Sequence, residues 1–470
     1  MSLTSRIKSS GNPPGLSRRH FLGQAACAGI SCTPVFSTLL NLALAGNAAA
    51  QSSNLPGYRA IVCLFLGGGN DSFNMLCPRS GEAHAAYAAS RQGLAHPMDK
   101  LLPLGPAGDH HPELGLHPAM PELKALFDAG RAAFIANVGS LVRPVTLAEY
   151  KTKTSLPLGL YSHSDQSEQW MTALPNRRSD NGWGGRASDL LRGLNPDAKI
   201  SMNISLSGIN TFQSTRQSFQ YCITPNGSVG MKSLESKGAR PGESAAVRSL
   251  LDQQYKSLFE QTYVETTENA IEAHQRFSAA VNPVKMNTVF PDTRTGRDLR
   301  MVARAIGAHS ALGLRRQTFF VNRGGWDHHN EVIVNQNTML GEVSAALAAF
   351  MTAMDELGTA NDVVLFTASD FGRTLTWNGR GSDHGWGGNQ LVLGGPVKGG
   401  KIYGRYPSLA LKSDVDAGQG RLIPTLSVDQ YSAELALWLG VSPRDLSTVL
   451  PNIGAFHDPL SGQPPLGFLL

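Results

Sequence analysis

A chain of 470 residues that is 41% hydrophobic and 16% charged can bury a large core, which excludes a disordered tail or a small disulfide-held module. The formal charge of +5 is not a nucleic-acid signature. Arg6, Lys8, Arg18 and Arg19 supply +4 within fifty residues that hold no Asp or Glu, and no basic block follows.

The N-terminal fifty residues read as a targeting segment. Ser17-Arg18-Arg19-His20-Phe21-Leu22 matches a twin-arginine motif, although Gly23 stands where Lys is common. An apolar stretch from Ala25 to Ala45 follows, broken by Gly29, Ser31, Pro34 and Ser37, and Ala48-Ala49-Ala50 offers small residues for cleavage. The competing reading is a membrane anchor, since a span needs about 20 mainly apolar residues. The small and polar residues favour cleavage, so the mature chain is expected to begin near Gln51. Expected partners are the twin-arginine translocase during export and a small anionic substrate, with no nucleic acid and no permanent membrane span. The expected location is periplasmic or secreted. Of five cysteines, only Cys63, Cys77 and Cys222 remain beyond residue 50; three cannot all pair, and their spacing fits no zinc module.

Residues 51–470 read as a single domain in which strand-like and helix-like runs alternate. The pattern predicts an α/β fold with a doubly wound, mainly parallel sheet and helices on both faces. Predicted strands are Tyr58–Leu66, Ala132–Val138, Thr318–Asn322, Asp362–Ala368 and Gln390–Leu393, short apolar runs closed by Gly, Asn, Ser or Asp. A helix is predicted over Asn335–Leu357, where Leu340, Val343, Leu347, Phe350, Met351, Met354 and Leu357 repeat at helical spacing. Another covers Val428–Leu439 after Ser427 as N-cap. The Gly-, Ser- and Lys-rich stretch Thr224–Glu243 reads as a surface loop.

The chemistry-bearing residues follow the predicted strands. Gly67-Gly68-Gly69-Asn70-Asp71-Ser72 closes the first strand, Gly324-Gly325-Trp326-Asp327-His328-His329 another, and Ser369-Asp370-Phe371-Gly372-Arg373-Thr374 a third. Gly381-Ser382-Asp383-His384-Gly385-Trp386-Gly387-Gly388-Asn389 comes soon after. Ligands of open α/β sheets bind outside the carboxyl ends of strands. Gathering Asp71, Asp327, His329, Asp370, Asp383 and His384 there points to divalent cations, since isolated buried carboxylates are costly and Asp oxygen and His nitrogen suit zinc, manganese or iron. Six such residues suit one or two metal ions. Each piece has a plainer reading. The triple glycine with Asn-Asp can be a tight turn and lacks a dinucleotide fingerprint. Asp-Phe-Gly resembles a kinase metal-binding triad but has no accompanying glycine-rich strand pair or catalytic loop.

Taken together, these motifs and Gly420–Tyr431 (Gly-Arg-Leu-Ile-Pro-Thr-Leu-Ser-Val-Asp-Gln-Tyr) resemble a bacterial family catalogued as domain of unknown function 1501, in which twin-arginine signals are common. That family resembles the alkaline phosphatase and sulfatase superfamily. The resemblance implies a metal centre at the strand ends. It assigns the first-strand carboxylate to Asp71, with Asn70 as competitor. It assigns the Asp-then-His pair to Asp327 and His329, with His328 in reserve. The later carboxylate becomes Asp370 and the last metal histidine His384, with Asp383 as a ligand or as its orienter. Phe371 stands where alkaline phosphatases commonly have His, so one ligand is missing. The sulfatase signature Cys-x-Pro-x-Arg is absent. Tyr161-Ser162-His163-Ser164-Asp165 precedes a predicted helix, so Ser162 is the candidate nucleophile, with His163 as base or ligand; an N-cap is its plainer role. Arg373, and secondly Arg186, are candidate clamps for a tetrahedral anion.

The expected function is an exported metal-dependent hydrolase of phosphate or sulfate esters. The alternative is a non-catalytic envelope binding or assembly protein that retains the fold. A redox enzyme has no cysteine cluster, haem motif or dinucleotide fingerprint to support it.

Overall fold

Seven consecutive apolar residues, Ala60–Leu66, cannot sit on a half-solvated sheet, and they form the centre of β1 (Arg59–Leu66), buried on both faces. The computed structural model describes residues 57–105, 111–195, 200–217, 219–234 and 242–469. The twin-arginine segment and the mature start at Gln51 lie outside the described residues.

The main sheet also contains β2 (Ala132–Gly139), β3 (Asn203–Ser205), β4 (Tyr221–Cys222), β5 (Arg316–Asn322), β6 (Val363–Ser369), β7 (Gly388–Gly394), β8 (Ile402–Tyr403) and β9 (Leu426–Ser427). Its order is β8-β2-β7-β6-β1-β5-β3-β4, with β9 also paired to β2. All neighbours are parallel except β7, which runs antiparallel to both β2 and β6. The α/β sheet is mainly parallel as expected, and the reversed β7 makes it mixed. Its five longest strands are those predicted, with ends shifted by at most two residues. The centre is almost wholly apolar, and each buried Leu, Ile, Val or Phe side chain there contributes roughly 1.5–3 kcal/mol.

Six helices matter for the site or its support: α1 (His163–Thr172), α2 (Trp183–Leu191), α3 (Leu258–Val281), α4 (Arg294–Gly307), α5 (Val332–Glu356) and α6 (Val428–Leu439). The α6 bounds match the expectation because its start is chemically marked. Ser427 Oγ accepts from Gln430 N at 3.0 Å while Ser427 N donates to Gln430 Oε1 at 3.2 Å, a reciprocal capping box. Helix α5 starts three residues before the predicted Asn335, after Glu331 in the left-handed region at φ 51°. Its predicted apolar stripe is buried from Leu340 to Met354. Helices α3 and α4 carry no expectation from the sequence. Most of α3 is exposed, with Ala273, Phe277 and Val281 alone buried, so its apolar stripe is too short to stand out. The predicted loop Thr224–Glu243 has a bridge from Thr224 to Gly227 and a short 3-10 turn at Lys232–Leu234 before leaving the described residues. Among the described residues, no helix is long and apolar enough to cross a membrane.

Candidate metal centre

The carboxyl ends of β1, β5 and β6 open on one edge of the sheet. The Gly381–Asn389 segment joins them although it precedes its strand. Because β7 is antiparallel to β6, its amino end lies on the same edge. The loops then touch at distances only glycine permits. Gly68, at φ +118°, would place a Cβ 2.5 Å from the backbone nitrogen of Asp327, and a Cβ on Gly381 would lie 2.4 Å from the carbonyl carbon of His329.

Three histidines converge on one carboxylate there. The Nε2 atoms of His329 and His384 lie 3.0 and 3.3 Å from Asp327 Oδ1, and His163 Nε2 lies 3.4 Å from Asp327 Oδ2. Ligand-type atoms of His163, Asp327 and His384 all fall within 4.8 Å of one another. Each ring is held from behind through Nδ1. Asp370 Oδ2 is 2.6 Å from Nδ1 of His163, Asp383 Oδ1 is 3.0 Å from that of His329, and the Tyr161 carbonyl is 2.8 Å from that of His384. A carbonyl only accepts, and so does an ionised carboxylate, so each Nδ1 carries the hydrogen and each neutral ring keeps its lone pair on Nε2. The Nε2 atoms of His329 and His384 then face each other at 3.1 Å. Two lone pairs at that distance repel, and a shared cation removes the repulsion. The donor set therefore fits a divalent metal ion of the zinc, manganese or iron kind.

The carboxylate is itself fixed. Arg373, fully buried, donates from Nη1 to Asp327 Oδ1 at 2.6 Å and to the Gly68 carbonyl at 3.3 Å, and from Nη2 to the Ser382 carbonyl. Burial would raise the Asp327 carboxyl, but the Arg373 hydrogen bond and charge, with His329 and His163, hold it below the usual range. Burial chiefly lowers His384, which keeps the ring in its neutral, ligating form. Asp383 is held low against burial by Asn378, which donates at 3.0 Å, and by His329. The Asp327 and His329 side chains remain 42% and 41% exposed, so the cluster is open to solvent.

The structure thus brings together Asp327, His329, Asp370, Asp383, His384, His163 and Arg373 from the residues singled out in the sequence. Asp71 departs from them. It is buried in an ion pair with Arg91, itself buried, and accepts from Ser382 Oγ at 3.4 Å. Its carboxylate balances a buried guanidinium instead of joining the histidines, a partner that proximity in sequence did not reveal. Asn70 donates from its backbone to Ser369 Oγ. Ser162 Oγ is the N-cap of α1, accepting from Asp165 N and bonded to Ser164 Oγ. Arg186 donates to the carbonyls of Thr172, Asn181 and Val449, which makes it a half-buried brace between segments. Arg373 braces Asp327 in the same way and has no exposed surface for an incoming anion. His328 is buried, and its carbonyl accepts from Ser382 N. Phe371 packs against His163 and His384 with ring centroids 4.8 and 4.6 Å away.

Two contributors escaped sequence reasoning. Tyr161 acts through its carbonyl, carried on a backbone at φ +74° that bulky residues rarely adopt. Asn378 acts through an amide in a Gly-flanked loop, and nothing in its local pattern marks it.

A protein-family pattern described as "Protein of unknown function (DUF1501)" matches residues 58–419. The chain belongs to this family. No curated protein matches it by sequence. Among solved structures, it is similar to Ps i-CgsB in complex with k-i-k-neocarrahexaose at 10% identity and TM-score 0.32, over 82% of this chain and 72% of that one. It is similar to the PsFucS1 sulfatase from Pseudoalteromonas sp. at 11% identity and TM-score 0.29, over 85% and 72%. A mutant of the alkaline phosphatase PafA follows at 10% identity and TM-score 0.27, over 68% and 64%. Within the matched region of the family pattern lie all seven residues gathered at the sheet edge.

Proposed function

We propose that this family member is an exported, metal-dependent hydrolase of phosphate or sulfate esters. The observation that carries the proposal is the convergence of three Nε2 lone pairs on the exposed carboxylate of Asp327, each fixed by an acceptor at Nδ1. His163, His384 and Asp327 would hold the cation. A bound divalent ion polarises an ester oxygen and lowers the pKa of water at an open position. Around it, Asp370, Asp383 and the Tyr161 carbonyl keep the ring hydrogens on Nδ1, away from the reacting side. Arg373 neutralises part of the Asp327 charge and holds its direction. Solvent reaches the open face beside Asp327 and His329, where water and a small anionic ester would enter. Ser162 Oγ is engaged in capping α1, which favours bound water as the nucleophile over the hydroxyl.

Export by the twin-arginine translocase is part of the same proposal. Its substrates cross already folded, and a site whose members run from His163 to His384 exists only after folding. The test is to purify the mature chain, measure bound metal, and assay aryl phosphate, phosphodiester and aryl sulfate with and without chelator. Metal-dependent turnover of one class supports the proposal; a metal-free chain with a chelator-insensitive fold and no turnover overturns it. Bound metal without turnover moves the reading to an envelope binding protein, which the capping role of Ser162 also favours.

A further inference from the structure

We infer that the site holds a single cation through four side chains, with His329 as the fourth ligand beside His163, Asp327 and His384, and with Asp370 and Asp383 as positioning residues that do not touch it. This rests on the metal-centre reading above and deepens it. Asp327 Oδ1, His329 Nε2 and His384 Nε2 form a triangle with sides of 3.0, 3.1 and 3.3 Å. Ligand bonds of 2.0–2.1 Å in a tetrahedral shell place neighbouring donor atoms about 3.3 Å apart, so one ion can cap this triangle. His163 Nε2 is buried without a hydrogen-bond partner and lies 3.4 Å from the second oxygen of Asp327, so its lone pair is left for the same ion.

Asp370 and Asp383 sit on the opposite sides of the rings. Asp370 gives Oδ2 to His163 Nδ1 and Oδ1 to the Gly68 N–H at 3.1 Å, and Asp383 gives Oδ1 to His329 Nδ1 and the Asn378 amide. An imidazole that donates from Nδ1 to a carboxylate ligates through Nε2, on the far side of the ring. On the side of His163 and His384 there is no room for a second ion. Phe371 is 2% exposed and lies against both His163 and His384, and it would meet a Cβ on Gly69 at 2.5 Å. The volume next to those two rings is therefore filled by hydrocarbon, which offers no donor atom. Asp71, the remaining carboxylate, is neutralised by Arg91.

The test is a titration of the mature chain with Co(II), reading stoichiometry, affinity and the visible absorption band, with far-UV circular dichroism to confirm folding. One Co(II) per chain is expected. Asp370→Asn and Asp383→Asn, both close in shape to the native residue, keep that stoichiometry and the band position while binding weakens roughly 10- to 100-fold. His329→Ala shifts the band, because a ligand is lost. Two Co(II) per chain, a shifted band in Asp370→Asn, or an unshifted band in His329→Ala overturns the inference while leaving a metal centre in place. A folded wild-type chain that takes up no Co(II) removes the metal-centre reading itself, a distinct result.

Discussion

Two groups of histidines in this molecule differ in one respect that decides their chemistry. At the sheet edge, His163, His329 and His384 each donate from Nδ1, and their Nε2 lone pairs point to a shared carboxylate. In the interior, His96 and His117 pack edge to face with ring centroids 4.4 Å apart. There His117 Nδ1 accepts the Ala119 N–H at 3.1 Å, so its hydrogen lies on Nε2, which has no partner. Burial lowers His96 to about 4 and His117 to about 3, with Arg91 pushing His96 in the same direction. The first group is built to receive positive charge and the second to refuse it. A histidine's role is set by what sits behind the ring as much as by what lies before it.

The largest effect is expected from Asp71→Ala, which leaves Arg91 buried and unpaired. It should cost roughly 3–5 kcal/mol in denaturant unfolding while bound metal stays at the wild-type level. A fall in metal content with an unchanged midpoint would place Asp71 among the ligands after all. His384→Ala should lower metal affinity, and any metal-dependent turnover, by more than about 100-fold, beyond the range of an outer partner. Equal metal content by elemental analysis in this variant would remove His384 from the site.

The interior pair gives an effect that depends on pH. Their folded-state values lie below the unfolded value of 6.5, so the unfolded chain binds more protons below that pH. The stability they supply is present above pH 6.5 and is lost as pH falls toward 3, at about 1.4 kcal/mol per pH unit for each group. The apparent Tm should therefore drop steeply between pH 6.5 and 4, and His117→Leu should flatten that slope; an unchanged slope would mean the pair is not the source. The opposite pH dependence concerns Asp429, near the start of α6, which burial pushes up to about 7. Its folded value lies above the unfolded one, so its contribution is present below pH 3.8 and lost as pH rises through 7. Asp429→Asn should raise Tm at pH 8 and leave it unchanged at pH 4.

Much of this architecture was legible in the sequence, for reasons specific to each segment. The uninterrupted apolar run of β1 admits few structures other than a buried strand, and Ser427 with Gln430 marks the start of α6. Asp327, His329, Asp370 and His384 could be grouped because each follows or adjoins a predicted strand. Chain direction could not be read the same way: the antiparallel course of β7 leaves no periodicity of its own. Nor could the division of labour among carboxylates. Asp71, Asp327, Asp370 and Asp383 look alike in the chain, and only their partners separate a counter-ion of Arg91, a cluster carboxylate and two ring supports. Arg373 looked like an anion clamp because residue type alone does not report burial.

The reversed strand β7 also bears on how the site is assembled. Asp370, Arg373, Asp383 and His384 lie within one long hairpin between β6 and β7, so their mutual approach closes a loop of modest length. The contact between Asp370 and His163 spans 207 residues, and that between Asp383 and His329 spans 54. Closing longer loops costs more chain entropy, and low contact order favours early formation. The hairpin is thus the local half of the centre, and the contacts that add His329 and His163 close progressively longer loops. A cation that needs both halves would report on closure of the long loops as well as the short one.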